Sequence, residues 1–175
     1  MHKNSKMSGM RFLLVTVLNA LITVVELFGG VLSGSLALLS DAFHNLGDSA
    51  SVVLAYVASR IGLKNSNMSK TFGYRRAEII SAFVNSVFLI VVSFFLIIES
   101  VRRILNPEPV NGGIMLIVAI VGTLANFISA LLLSSGAKGS LNIKATYLHI
   151  LSDALSSFGI VIGAIIIQVW HIDIV

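Results

Sequence analysis

Two pairs of histidine and aspartate repeat the same spacing in this sequence. His44 precedes Asp48 by four residues, and His149 precedes Asp153 by four. Residues four apart on an α-helix lie on one face, one turn from each other. Two such pairs on two helices can therefore bring two imidazoles and two carboxylates to one point. Four nitrogen and oxygen ligands suit tetrahedral Zn²⁺, whereas Mg²⁺ and Ca²⁺ favour all-oxygen shells.

The charge of these four groups predicts a second ligand. Two carboxylates and two neutral imidazoles carry two negative charges, which one Zn²⁺ neutralises. Without the metal, protons relieve the cost of burying that charge, and imidazole titrates close to neutral pH. Because the metal must displace those protons, the set favours the exchange of a divalent cation for H⁺, which is the chemistry of a proton-coupled antiporter.

Two further acidic residues lie in apolar surroundings. Asp41 shares the face of His44 and Asp48, and we expect it to be a ligand, a gate, or a partner that makes hydrogen bonds to the ligands. Glu26 either lines the path of the cation or makes a hydrogen bond between helices, and we favour the hydrogen bond. A single polar residue often joins membrane helices in this way, but two matched pairs on separate helices are poorly explained by that role alone.

The composition places these residues in a membrane. The chain has 175 residues, of which 56% are hydrophobic and 11% charged, against roughly 25% charged in a soluble domain. Its mean hydropathy is +0.95. A soluble chain of this size cannot bury so much apolar surface, and the absence of cysteine excludes a disulfide scaffold. The composition therefore predicts a small polytopic membrane protein rather than a soluble enzyme or a disordered chain.

The elements that must position the site are membrane helices, each needing about 20 mainly apolar residues. The pattern predicts an all-α membrane bundle in a single transmembrane domain, residues 1–175. The five predicted helices cover residues 11–32, 35–61, 77–101, 113–134 and 145–170. The second helix carries His44 and Asp48, and the fifth carries His149 and Asp153.

The Lys and Arg residues predict the orientation of the chain. With a cytoplasmic N-terminus, ten of the twelve lie on the cytoplasmic side, which is the bias expected of a membrane protein. Only Arg102 and Arg103 lie on the other side. The sequence pI of about 9.7 is therefore interpreted as a topology signal, and no nucleic-acid partner is expected. The ten are Lys3, Lys6, Arg11, Arg60, Lys64, Lys70, Arg75, Arg76, Lys138 and Lys144.

Three motifs in order resemble the cation diffusion facilitator family, over nearly all of the chain. The run Gly34-Ser-Leu-Ala-Leu-Leu-Ser-Asp-Ala-Phe-His-Asn-Leu-Gly-Asp48 is similar to the second helix of that family. The run Phe72-Gly-Tyr-Arg-Arg-Ala-Glu78 resembles the segment before its third helix. The run Ala145-Thr-Tyr-Leu-His-Ile-Leu-Ser-Asp-Ala-Leu-Ser-Ser157 resembles its fifth helix.

The resemblance implies a function and a site. The family exports Zn²⁺, and sometimes Cd²⁺, Co²⁺, Fe²⁺ or Mn²⁺, in exchange for H⁺ by alternating access. Carried over, its transport site is His44, Asp48, His149 and Asp153. The resemblance also implies a transporter rather than an enzyme, a bacterial inner membrane, and a homodimer for the full-length protein.

The chain departs from the family pattern in two places. The family has six membrane helices followed by a cytoplasmic metal-binding domain, so we expect a transmembrane domain that lacks the sixth helix and that domain. Many zinc-exporting members carry a His-rich stretch before the fifth helix, whereas residues 134–144 contain no histidine.

Two other function classes remain open at this point. One is a membrane fragment that binds metal or a partner subunit without transport. The other is a membrane-embedded metal-dependent hydrolase, which would need an open coordination position and a general base beside bound water. Four protein ligands leave no open position, and only Asp41 remains as a base.

Overall fold

The computed structural model describes residues 2–62, 76–137 and 141–170. Every regular element within these ranges is an α-helix, so the predicted all-α helix bundle is confirmed. The part of the second motif before Arg76, and the predicted cytoplasmic residues Lys64, Lys70, Arg75 and Lys138, lie outside the described residues. The helices are α1 (His2–Ser33), α2 (Leu36–Gly62), α3 (Arg76–Leu105), α4 (Gly112–Ala137) and α5 (Leu141–Trp170).

Four of the five helices are long and apolar enough to cross a membrane. Their apolar stretches are Leu13–Ser33, Ile79–Leu105, Gly112–Gly136 and Ile143–Trp170. Helix α2 is not among these four, although it is long enough. Its 27 residues extend about 40 Å at about 1.5 Å per residue. Its polar face lowers its hydropathy, because that face carries the first His/Asp pair and Asp41.

The helices divide into two packed groups. Helix α4 packs most extensively against α5, and α1 lies against α4 on the other side. Helix α2 lies between α1 and α3, and it contacts α5 over only a small area. No described side chain of the α3 stretch Ile79–Leu105 is fully buried. The two groups therefore meet mainly through the contact of α1 with α2.

A tight turn sets the angle between α1 and α2. Gly34 has a φ of 72°, a left-handed conformation that favours glycine. The amide of Ser35 donates to the Gly30 carbonyl at 3.0 Å and that of Gly34 to Val31 at 3.4 Å, which is a Schellman arrangement. The Ser35 hydroxyl then caps α2 by accepting from Leu38 at 3.3 Å. Arg103, at the end of α3, donates to the Gly34 carbonyl and fixes α3 to this turn.

Two apolar clusters enclose a layer of buried polar side chains. The cluster at the Gly34 end comprises Leu38, Val110, Met115, Ala119, Ala164 and Ile167. The cluster at the opposite end comprises Val15, Ala130, Leu133 and Ile150. The buried polar side chains between them form what we call the polar layer: Glu26, Asp41, Asn45, Asn126, Asp153 and Ser157.

The close contact of α1 with α4 at Gly29 leads to a prediction about the stability of the bundle. A Cβ added at Gly29 would lie 2.6 Å from a methyl carbon of Val118 and 3.1 Å from its Cβ. A β-branched side chain rotates away with difficulty, so Gly29→Ala is expected to lower the stability of the bundle by about 1–3 kcal/mol. The measurement is thermal unfolding of the purified chain in detergent.

Gly159→Ala on α5 is the matched control. A Cβ at Gly159 meets nothing within 4 Å, and alanine favours a helix over glycine by up to about 1 kcal/mol. Equal unfolding temperatures for the two variants would contradict the close packing of α1 on α4.

Candidate metal centre

The first His/Asp pair on α2 and the second on α5 face each other across the narrow contact of these helices. Nε2 of His149 lies 2.8 Å from Oδ2 of Asp48, and Nε2 of His44 lies 3.5 Å from the same oxygen. Asp153 is close to both imidazoles as well, at 3.9 Å from His44 Nε2 and 3.7 Å from His149 Nε2. The structure therefore brings all four sequence-predicted ligand residues together.

The cluster is open on one side and closed on the other. The side chains of His44 and His149 are 54% and 47% exposed, whereas that of Asp153 is 6% exposed. Ligand atoms of His44, Asp48 and His149 all lie within 4.8 Å of one another. Asp153 approaches this group from the buried side. A cation could therefore enter from the open side and meet the fourth ligand at the bottom.

A cavity of about 440 Å³ adjoins the cluster between α2 and α5. It extends from His44 toward the Gly34 end of the bundle, and its wall is largely made of small side chains. The lining residues are Ala37, Ser40, Asp41, His44, Ser156 and Ile160.

Asp41 lies beside the cluster and makes its hydrogen bond elsewhere. Its Oδ2 accepts a hydrogen bond from the Ser157 hydroxyl at 2.8 Å. Ser157 in turn accepts from the Asn126 amide at 3.4 Å. The carboxyl of Asp41 thus links α2 to α5, and through Ser157 to α4, while one side of it lines the cavity.

Glu26 is almost completely buried, at 1% exposure. Its Oε2 accepts a hydrogen bond from the Asn45 amide at 3.1 Å. Of the two roles considered from the sequence, a cation path or a bond between helices, the structure shows a hydrogen bond between α1 and α2.

Sequence reasoning missed the partners of these two acids. Ser157 lies four residues after Asp153, on the same face of α5, and this spacing could have pointed to it. Asn45 follows His44 directly, but nothing in the sequence indicates that it faces α1. Both contacts depend on which helices are neighbours.

Comparison with known proteins gives a consistent result. A family model described as the cation efflux transmembrane domain matches residues 12–175. The chain belongs to the cation efflux family. The resemblance found in the three sequence motifs is thereby confirmed, and the chain is an integral membrane protein.

Named relatives cover most of this chain. "Zinc transporter ZitB" of Pectobacterium atrosepticum is 44% identical over 90% of the chain and 49% of its own length. "Cadmium, cobalt and zinc/H(+)-K(+) antiporter" of Bacillus subtilis is 43% identical over 82% of the chain and 47% of its own length. "Metal cation efflux system protein CzcD" of Cupriavidus metallidurans is 40% identical over 83% of the chain and 46% of its own length. The chain spans about half the length of these relatives, which are named as transport and efflux proteins.

The hydrogen bond between Ser157 and Asp41 leads to a second prediction about stability. Ser157→Ala removes the donor to a buried carboxyl, and we expect a loss of stability of about 1 kcal/mol or more. Thermal unfolding in detergent measures the loss. Ser152→Ala is the matched control, because the exposed Ser152 hydroxyl only donates to the Leu148 carbonyl of its own helix. If both variants unfolded at the same temperature, Ser157 would contribute nothing through Asp41.

Proposed function

We propose that this chain forms the transport core of a divalent cation exporter that carries Zn²⁺ out of the cytoplasm and H⁺ in the opposite direction. The observation that carries the proposal is the meeting of two imidazoles and two carboxylates from α2 and α5. The names of the relatives, which include zinc transporters and a cadmium, cobalt and zinc antiporter, agree with it.

The spacing of the four groups suits a tetrahedral cation. Zn²⁺ binds nitrogen and oxygen at about 2.0–2.1 Å, which places tetrahedral ligand atoms about 3.3 Å apart. The distances from Asp48 Oδ2 to the two imidazoles are 2.8 and 3.5 Å, which bracket this value, and the two Asp153 oxygens lie 3.9 and 3.7 Å from His44 and His149. Small side-chain adjustments would then complete the shell. The same donors also accept Cd²⁺, Co²⁺, Fe²⁺ or Mn²⁺, and we place Zn²⁺ first because two imidazoles and four ligands match its preference.

Proton exchange follows from the contact of His149 with Asp48. At 2.8 Å these two atoms share a hydrogen bond, so a proton occupies the space between two groups that the cation needs. Metal ligands must be deprotonated to bind, and the arriving cation therefore releases protons. When the cation leaves, protons restore the pairing and lower the cost of two carboxylates in the bundle.

Alternating access is supported by the narrow contact between α2 and α5. Because these helices share little packing, the cation itself would hold them together, and a small relative movement would change the side from which the site is open. With a cytoplasmic N-terminus, the Gly34 end faces outward. The cavity beside His44 then forms the outward route in this conformation.

The orientation, the membrane and the oligomeric state of the protein are also part of the proposal. The distribution of Lys and Arg favours a cytoplasmic N-terminus, and the bacterial sources of the relatives favour the inner membrane. We propose a homodimer for the full-length protein. No catalytic role is proposed, since all four groups serve the cation.

The transport proposal predicts the effect of removing one carboxylate charge. Asp48→Asn and Asp153→Asn leave the ligand set with a single negative charge, so we expect zinc flux into proteoliposomes to fall to background and zinc affinity to drop. The measurements are flux and isothermal titration. Glu108→Gln is the matched control, because Glu108 is 49% exposed outside the helices and its loss should leave flux intact.

Two results would change this conclusion. Unaltered flux in both aspartate variants would contradict the site. Zinc binding by the unaltered chain without any flux would instead favour the alternative function, a membrane fragment that binds metal or a partner subunit.

The competition between metal and protons predicts a pH dependence. Zinc affinity should fall as the pH is lowered, because protons compete with the cation for the same ligand atoms. Titration of the chain with zinc at several pH values, with release of protons into a weak buffer as a second readout, checks this. Affinity that is independent of pH would contradict the exchange mechanism.

A further inference from the structure

Glu26 occupies a slot between three helices. Its own helix is α1, its Oε2 accepts from Asn45 on α2 at 3.1 Å, and its Oε1 lies close to Gly122 on α4. A Cβ at Gly122 would lie 2.6 Å from that oxygen, so a larger residue there would require the carboxyl to shift. The slot is dry, since the Glu26 and Asn45 side chains are each 1% exposed.

Within the described part of the chain, no basic group is among those that act on Glu26. The acidic groups that interact with it are Asp41 on α2 and Asp153 on α5, and the stretch of α4 from Gly112 to Ala137 carries no charged residue. Arg11, on α1 itself, binds Ser135 at the far end of the bundle. His44, which precedes Asn45 on α2, faces the metal centre. An ionised Glu26 would be a buried negative charge among other carboxyls.

The amide oxygen of Asn45, in the same slot, lacks a hydrogen-bond donor. Oδ1 of Asn45 is buried and accepts no hydrogen bond, which is uncommon for a buried amide oxygen. The nitrogen and oxygen of an amide share one carbon. A carboxylic acid that accepts from the nitrogen can therefore donate its own O–H to the oxygen and form a cyclic pair of two hydrogen bonds. An ionised carboxylate has no hydrogen to give.

We propose that Glu26 is a proton-binding site, separate from the four metal ligands, and that in this conformation it is a neutral carboxylic acid paired with the Asn45 amide. One added proton provides a hydrogen-bond donor for Oδ1 of Asn45. The same proton neutralises the buried carboxylate of Glu26. The glycine at position 122 provides the space in which the acid is held.

The position of Asn45 connects this proton to the metal centre. Asn45 follows His44 directly, so a shift of α2 that moves the imidazole also withdraws the amide from Glu26. Glu26 would then lose the partner that satisfies its carboxyl group. This link to transport rests on the proposed function, whereas the presence of the proton does not.

Infrared spectroscopy of the purified chain in lipid at neutral pH tests the proposal. The difference between the unaltered chain and Glu26→Gln should show the loss of a carbonyl band of a protonated carboxylic acid. Glu108→Gln is the control, and there the loss should be in the bands of an ionised carboxylate, because Glu108 is exposed and pairs with Arg102 and Arg103. Loss of ionised carboxylate bands in Glu26→Gln would overturn the proposal.

Two further measurements keep the test independent of how the variant folds. Labelling glutamate with ¹³C in the unaltered chain should shift a protonated-acid band, and its absence would also overturn the proposal. Glutamine can make the same two hydrogen bonds as the neutral acid. Glu26→Gln should thus unfold at the same temperature as the unaltered chain near neutral pH, and at a higher one at alkaline pH. Failure of zinc flux with these results intact would refute the transport function and leave the proton site standing.

Discussion

A carboxylate without a counter-charge is very costly in a membrane interior, and this chain places four carboxyl groups within one bundle. Each lies against a polar side chain of another helix. Asp48 and Asp153 face two imidazoles, Asp41 accepts from a serine on α5, and Glu26 accepts from an asparagine on α2. Glu26, Asp41 and Asp153 belong to the polar layer between the two apolar clusters, whereas the side chain of Asp48 is 32% exposed. The four pairings join α1 to α2 and α2 to α5.

Helix α2 is the helix most affected by the need to pair these carboxyl groups. It carries two of the four carboxyl groups, and its hydropathy is correspondingly too low for it to be identified as a span. It is held between α1 and α3 but shares little packing with α5. Several of the described groups that join it to α5 are polar, and under the proposed function the strength of that contact depends on protons and cations. A bundle built in this way can move at one interface while α4 and α5 stay packed.

The sequence predicted the helices and the meeting of the two His/Asp pairs because both depend on local rules, namely apolar length and the four-residue repeat of a helix face. It did not predict the partners of Asp41 and Glu26. Those contacts depend on which helices are neighbours and how each is rotated, and a single serine, asparagine or glycine in an apolar run gives no sign of that. Gly122 illustrates the limit, since its role is to leave room for a carboxyl from another helix.

X-ray absorption at the zinc edge, on the chain loaded with one equivalent of Zn²⁺, tests the central claim most directly, because it reports the ligand atoms around the metal. We expect a four-coordinate shell at about 2.0 Å, with the outer-shell scattering of two imidazoles and the remaining ligands oxygen. A six-coordinate, water-rich shell without imidazole scattering would contradict a metal centre formed by His44, Asp48, His149 and Asp153.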